Sequence, residues 1–520
     1  MNGTENYRPL QEHVQYRAQD GSWHRKFSDA LAHSGGDLTW DPAGLLSMVS
    51  FGYPCDGRTL ISEIPRQPWM STIGTDGEPK LQAIPPHDTF FKSHEEMAGD
   101  FARLLRQELI EACKGYKKIY LTLSGGMDSR IMAAAVCHAA NAGEIDAEIT
   151  AVTWSWAAEN SRDVVYGRKA AEILGINWIC VEYKPEHLIQ NIELSASHLA
   201  CLVPGIHMHR MPWLMENAPS DALVIAASFG DQVGRADFMD RHLLELDYLR
   251  PSDTYGLLKP EILPGAHQLL GADLKALHDR TPGRPKYVLC EHEMFAHYCR
   301  GWCAQAMNIV TFNCGLHQVM TSPQVCSYVW SIHPSLRTDH MYAGTLELLY
   351  PKLARLPWSH TNRALMGKTE GAVGGLPRED PRQCYDWISG VLYDELRDRL
   401  DINWFCNSDV FDGESVSKLC ERIRTVTLDY DAWDRFVWLV SFRLFVRHLE
   451  EMGKTVEAGK AATAGGPVEL PPQTERPPMS RSRLWLRSTS LGKYLKTKRD
   501  RSNQRRVQRQ ALKEFPLKKS

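Results

Sequence analysis

Ser124-Gly125-Gly126-Met127-Asp128-Ser129 is the stretch whose residue types and spacing can do chemistry. Two adjacent glycines let a backbone turn sharply and approach a ligand closely. Ser124 and Ser129 add hydroxyl donors. If the turn opens a helix, the N–H groups of its first turn converge on one point, and the helix dipole favours an anion there. Asp128 repels a phosphate unless a cation lies between them, which makes Mg²⁺ the natural third party. No Gly-Lys-Ser/Thr follows the glycines, so the P-loop pattern is excluded. The plain alternative is a glycine-rich strand-to-helix turn that holds nothing.

The flanking elements have the form this chemistry needs. Residues 119–123 are an apolar run of the length of a buried strand, and an Ala/Met-rich helix is expected from Arg130. Residues 148–156 and 177–183 read as further strands. Residues 161–174 read as a helix closed by Gly175, and another helix is expected over 185–199. Strands and helices alternating with short connections predict a doubly wound parallel sheet. Ligands bind such sheets beyond the C-terminal strand ends, where the 124–129 turn lies. A fourth strand, 222–227, runs into Ser228-Phe229-Gly230-Asp231-Gln232-Val233-Gly234. This second glycine-bearing turn puts Asp231 where it could reach the same metal as Asp128. A surface turn with a helix-capping Asp is the alternative.

Around this centre, residues 1–95 read as a short mixed α+β region and 90–114 as an amphipathic helix. Residues 255–449 read as mostly helical, interrupted by a proline-centred turn at 355–365. A polar, glycine-rich stretch, 366–378, follows it; it contains Lys368 and reads as a mobile loop. The implied organisation is an N-terminal domain over 1–95, an α/β body over 96–455, a linker over 456–480 and a basic tail over 481–520, disordered or helical. His292 and His297 mimic a zinc-protease motif but stand five apart, which rotates them by about 140° on a helix, off any shared face.

Of 520 residues, 43% are apolar and 24% charged, ordinary for a globular chain, and no stretch reaches the length of a membrane-spanning helix. Thirteen scattered cysteines without a signal-peptide core read as reduced thiols of the cytoplasm. The net charge of −3 hides an asymmetry: residues 476–520 carry fifteen Lys/Arg against Asp500 and Glu514, a net +13, so the rest of the chain carries −16. Such a tail is solvated, or it docks on an anionic membrane surface, a partner protein or an acidic substrate peptide. Nucleic acid is not the expected partner.

The 124–129 stretch resembles the SGGxDS pyrophosphate loop of the N-type ATP pyrophosphatases. With the 228–234 turn behind it, the order of parts resembles the asparagine synthetase family, whose members carry a synthetase domain behind a glutamine-hydrolysing domain. The family includes β-lactam synthetases, lasso-peptide cyclases and sugar-amidating enzymes of polysaccharide clusters. Residues 41–64 are similar to the last part of the family's N-terminal domain. Residues 228–234 are similar to its second motif, usually Gly-x-Gly-x-Asp-Glu, and 351–365 to the run before its catalytic lysine loop. Arg130, where many synthetases have Ser, looks more like the cyclase and polysaccharide-cluster branches.

The resemblance implies an adenine nucleotide α-hydrolase-like fold with a helical C-terminal half. It implies ATP and Mg²⁺, with Leu123, Ser124, Gly125, Gly126, Asp128, Ser129, Val152 and Gly230 on the nucleotide, and with adenine near Leu123 and Val152. Asp128 and Asp231 hold the metal in this reading, and Lys368 is the catalytic candidate, against a plain loop lysine. The implied reaction adenylates a carboxylate, small or peptide, and passes it to ammonia or an amine. Three departures qualify it. Asn2 replaces the N-terminal cysteine of the glutaminase, and the region before the synthetase domain is short, so residues 1–95 are expected to be a truncated glutaminase-like α+β remnant that does not hydrolyse glutamine. Gln232 replaces the motif's Glu. The lysine region aligns loosely. Two other readings share the loop: a degenerate ATP-binding scaffold, and a tRNA-modifying enzyme that adenylates a base.

Overall fold

A five-stranded, all-parallel sheet lies at the centre: β1 (Lys118–Thr122), β2 (Glu148–Ser155), β3 (Asn177–Glu182), β4 (Leu223–Ala226) and β5 (Gly315–Gln318). Their order across the sheet is β5-β4-β1-β2-β3. Ile119 and Leu121 of β1 pair with Ile149 and Ala151 on one side and with Leu223 and Ile225 on the other. The chain order reverses at β1, which has β2 and β4 as its neighbours. The computed structural model describes residues 14–87, 92–156, 160–235, 248–379, 382–425 and 429–458.

Side chains alternate between the two faces of a strand, so a sheet covered on both faces must feed two cores. Ile119, Leu121, Ala151 and Ile225 enter one core, while Val152, Val181, Val224 and Ala226 enter another. The helices that matter here are α1 (Pro42–Phe51), α2 (His94–Cys113), α3 (Met127–Asn141), α4 (Arg162–Leu174), α5 (Pro185–His198), α6 (Leu263–Asp279), α7 (Asp339–Leu349) and α8 (Tyr430–Glu451). Phe101 and Leu105 of α2, Ile131 and Ala135 of α3 and Tyr166 of α4 pack in the first core. The second core is closed by Met208, Leu214, Ile309 and Val310. The chain is thus a mixed α/β protein built on a parallel sheet.

Helix starts follow the local chemistry. Ser93 and Glu96 form a reciprocal capping box at α2, with Glu96 N donating to Ser93 Oγ at 3.2 Å and Ser93 N to Glu96 Oε2 at 2.9 Å. Ser161 caps α4 through Val164 N at 3.2 Å, and Gly175 ends α4 at φ +70°.

Three features differ from the sequence reading. First, β5 interrupts the region expected to be helical; its four residues, GLHQ, carry no strand pattern, and only pairing with β4 makes them one. Second, residues 14–64 have no core of their own. Leu45 and Val49 of α1 share one hydrophobic cluster with Ile192 of α5, Leu270 of α6 and Phe436 of α8, and Arg435 Nε donates to Val49 O at 2.7 Å. The division expected at residue 95 is therefore not a division of the core. Third, Thr455–Glu457 is a strand paired in parallel with Asp37–Thr39, so the expected linker begins inside the fold. The rest of that linker, the basic tail and Asn2 lie outside the described residues. Among the described residues no helix is long and apolar enough to cross a membrane.

Candidate functional site

The loop after β1 continues the sheet before it turns. Leu123 N donates to Val152 O at 2.9 Å, so these two residues stand side by side at the C-terminal edge. Ser124 Oγ then accepts from Gly126 N at 3.1 Å, and Ser129 Oγ accepts from Ser124 N at 3.1 Å. The two hydroxyls are 3.1 Å apart, which folds the loop over the start of α3. Gly126 is the N-cap of α3 and has no side chain to occupy its first turn. A Cβ on Gly125 would lie 2.7 Å from Ser359 Cβ and 3.0 Å from Asp163 Cα, so only glycine fits there.

Arg130 fixes the loop from beneath. It is fully buried and donates to Gly125 O at 2.8 Å, to Leu356 O at 2.9 Å and to Pro357 O. Burial lowers its pKa to about 10. The guanidinium joins the 124–129 loop to the proline-centred turn, a tie between segments more than two hundred residues apart.

The loop after β4 meets it across the place where the strand order reverses. Phe229 has φ +71°, a left-handed conformation that disfavours a side chain. A Cβ on Gly230 would lie 2.5 Å from Asp128 Oδ1, so the two loops touch here. The turn is held from outside: Tyr342 OH donates to Gly230 O at 2.8 Å and Arg337 Nη1 to Val233 O at 3.1 Å.

Between the loops lies a cleft of about 300 Å³. Seven residues expected at the site line it: Leu123, Ser124, Gly126, Asp128, Ser129, Val152 and Asp231. Gly125 and Gly230 are not among the lining residues; Gly125 packs closely against Ser359 and Asp163, and Gly230 against Asp128. Trp154, Thr153, Ser228 and Phe229 also line it, unforeseen. Trp154 follows Val152 by two positions and so faces the same way on β2, a signal the sequence did contain.

Lys368 is exposed and is not among the lining residues. Its loop is anchored rather than loose at several points: Val373 N donates to Tyr166 OH at 3.0 Å, Arg162 N to Pro377 O at 2.8 Å, and Glu379 accepts from Ser155 Oγ at 2.7 Å. His292 and His297 are both buried with different partners, and among the described residues no group of three His, Cys, Asp or Glu gathers for a metal.

Asp128 is the electrostatic centre. Burial pushes its carboxyl above the ordinary carboxylate value, and Arg235 opposes that shift. Arg235 Nε and Nη2 reach its two oxygens at 3.3 and 3.2 Å, and Nη1 reaches Asp339 Oδ1 at 3.2 Å. Asp231 Oδ1 accepts its neighbour's Gln232 N at 3.0 Å. Two carboxylates on one cleft make a hard-oxygen donor set that fits Mg²⁺, which takes one or two carboxylates and completes its shell with phosphate oxygens and water.

Set against protein-family models the chain matches none, and no curated protein matches it.

Proposed function

We propose that the chain is an ATP-dependent, amide-forming ligase of asparagine synthetase type. Its sheet is read as doubly wound and adenine nucleotide α-hydrolase-like. The observation that carries this is the meeting of the 124–129 and 228–234 loops over one cleft, at the reversal of strand order, where open α/β sheets bind ligands. A carboxylate has no good leaving group. Its attack on the α-phosphate of ATP yields an acyl-adenylate and pyrophosphate; ammonia or an amine then displaces AMP and forms the amide. Leu123, Val152 and Trp154 offer an apolar wall for adenine, and Ser124, Ser129 and the first turn of α3 offer donors for the leaving pyrophosphate. Asp128 and Asp231 are the residues that would hold Mg²⁺, which when bound offsets phosphate charge. The acyl substrate is a small-molecule or peptide carboxylate. Thirteen unbridged cysteines support the cytoplasm as its location. The tail's proposed partners stay an anionic membrane surface or another protein.

The test is pyrophosphate release by the purified chain with ATP, Mg²⁺ and a panel of carboxylates, first with ammonia and then with glutamine. Release with ammonia and none with glutamine is expected. ATP binding without release across the panel would favour the degenerate scaffold, a reading to which Gln232 contributes. Lys368→Met is expected to lower amide formation at least tenfold if the lysine reaches the acyl centre, with the size set by one lost charge–oxyanion contact, about 10²-fold. Amide formation within twofold of the parent's assigns that role to another cation.

A further inference from the structure

We infer that Arg235 decides when Asp128 can take a metal. Its guanidinium and a divalent cation compete for one carboxylate, and the polyphosphate of an entering nucleotide drives the exchange. The inference rests on the nucleotide-binding reading above and adds a residue to which neither the motif nor the resemblance points.

Arg235 closes the turn that carries Asp231: its backbone N–H donates to Gly230 O at 3.1 Å. Position and partner are therefore set by the same loop. The side chain is 8% exposed and places Nε 3.3 Å from Asp128 Oδ1 and Nη2 3.2 Å from Oδ2, a two-pronged grip on both oxygens. It also stands over the rings of Tyr342 and Trp358, 5.8 and 5.9 Å from their centroids, which keeps the cation in a sheltered position. Nη1 meets Asp339 Oδ1 at 3.2 Å, and Asp339 is 57% exposed.

The consequences follow from charge and shape. Asp128 is compensated as it stands, so a divalent ion arriving alone meets a guanidinium on the carboxylate it needs and must displace it. A guanidinium suits phosphate oxygens as well as carboxylate, in the same bidentate geometry. A polyphosphate therefore brings both the metal's other ligands and a new partner for Arg235. Asp339 can keep hold of Nη1 while the other two donors change partner. Metal and nucleotide should consequently bind cooperatively, each weakly without the other.

The experiment is a titration of the full chain with Mn²⁺ alone, followed by electron paramagnetic resonance, with no nucleotide present. Arg235→Met is expected to bind Mn²⁺ at least about tenfold tighter than the parent, a modest share of the Coulomb term between neighbouring like charges. Arg235→Gln serves the same purpose if the Met variant does not fold. Adding Asp128→Asn to Arg235→Met should abolish the gain, which locates it. ATP without metal should bind the parent more tightly than Arg235→Met. A folded Arg235→Met or Arg235→Gln with parental or weaker Mn²⁺ affinity overturns the inference, as does a gain that survives Asp128→Asn. The Mn²⁺ readout needs no acyl substrate and no turnover. A chain that released no pyrophosphate would thus refute the ligase reading while leaving the competition at Asp128 standing or falling on its own result.

Discussion

Under the proposed function, Asp128→Asn is expected to lower ATP-dependent pyrophosphate release by about 10³-fold, the scale of removing one preorganised charge partner from a transition state. Asn keeps the shape and one acceptor but carries no charge, so the cleft retains only Asp231 as a carboxylate ligand on its lining. The competing explanation for such a loss is unfolding, and magnitudes separate the two. The Asp128–Arg235 pair is 23% and 8% exposed, between a surface pair and a buried one, and Arg235 keeps Asp339 after the change. Replacing Asp128 also removes the desolvation that raises its pKa. The stability cost is then roughly 1–2 kcal/mol, well below the 3–5 kcal/mol of stripping a fully buried ion of its partner. Circular dichroism and a melting curve should show a folded variant under assay conditions. Release within tenfold of the parent's would remove Asp128 from the site.

The parts legible in the sequence were those that local pattern specifies. β4 is a fully buried apolar run, β1 and β2 are largely apolar and β3, at the sheet edge, is partly exposed; the ends of all four match the expected strands within a residue or two. Ser161 and Gly175 bound α4 as cap chemistry requires. Both loops of the cleft were legible because glycine, serine and aspartate at a strand end have few other uses.

What was not legible depends on distance along the chain. Arg235 meets Asp128 from 107 residues away, and nothing near Arg235 signals the pairing. Arg130 read as a mark of family branch, yet its work is to bind the carbonyls of Gly125, Leu356 and Pro357. Lys368 is singled out only by a loosely aligning region of the family resemblance, which carries no information on reach. Residues 1–95 read as a separate domain because the core partners of residues 14–64, such as Phe436 and Val440, lie at the far end of the sequence.

Glu291→Gln is expected to destabilise the fold by about 3–5 kcal/mol at pH 7, the range for removing one charged partner of a buried ion pair. Glu291 and Arg337 are both fully buried, with Arg337 Nη1 and Nη2 on its two oxygens at 2.7 and 2.9 Å. Burial alone would push the Glu291 carboxyl up; Arg337, with His87 behind it at 3.4 Å, overrides burial and holds it well below the ordinary carboxylate range. A pKa depressed by folding adds stability that is complete above the unfolded value, about 4.3, and is lost as pH falls through the folded one. Gln cannot titrate, so the gap between parent and variant should be widest near neutrality and narrow below about pH 4. Urea midpoints of both chains at pH 7 and pH 3.5 measure it, and a gap independent of pH would show that Glu291 is not the titrating group. The effect also reaches the cleft, because Arg337 Nη1 donates to Val233 O in the turn that carries Asp231. Glu291→Gln replaces the charged partner of that guanidinium with a neutral acceptor and weakens its hold on the turn, so pyrophosphate release should fall even where the variant remains folded. Loss of stability with unchanged release would instead confine the Glu291–Arg337 pair to holding the core.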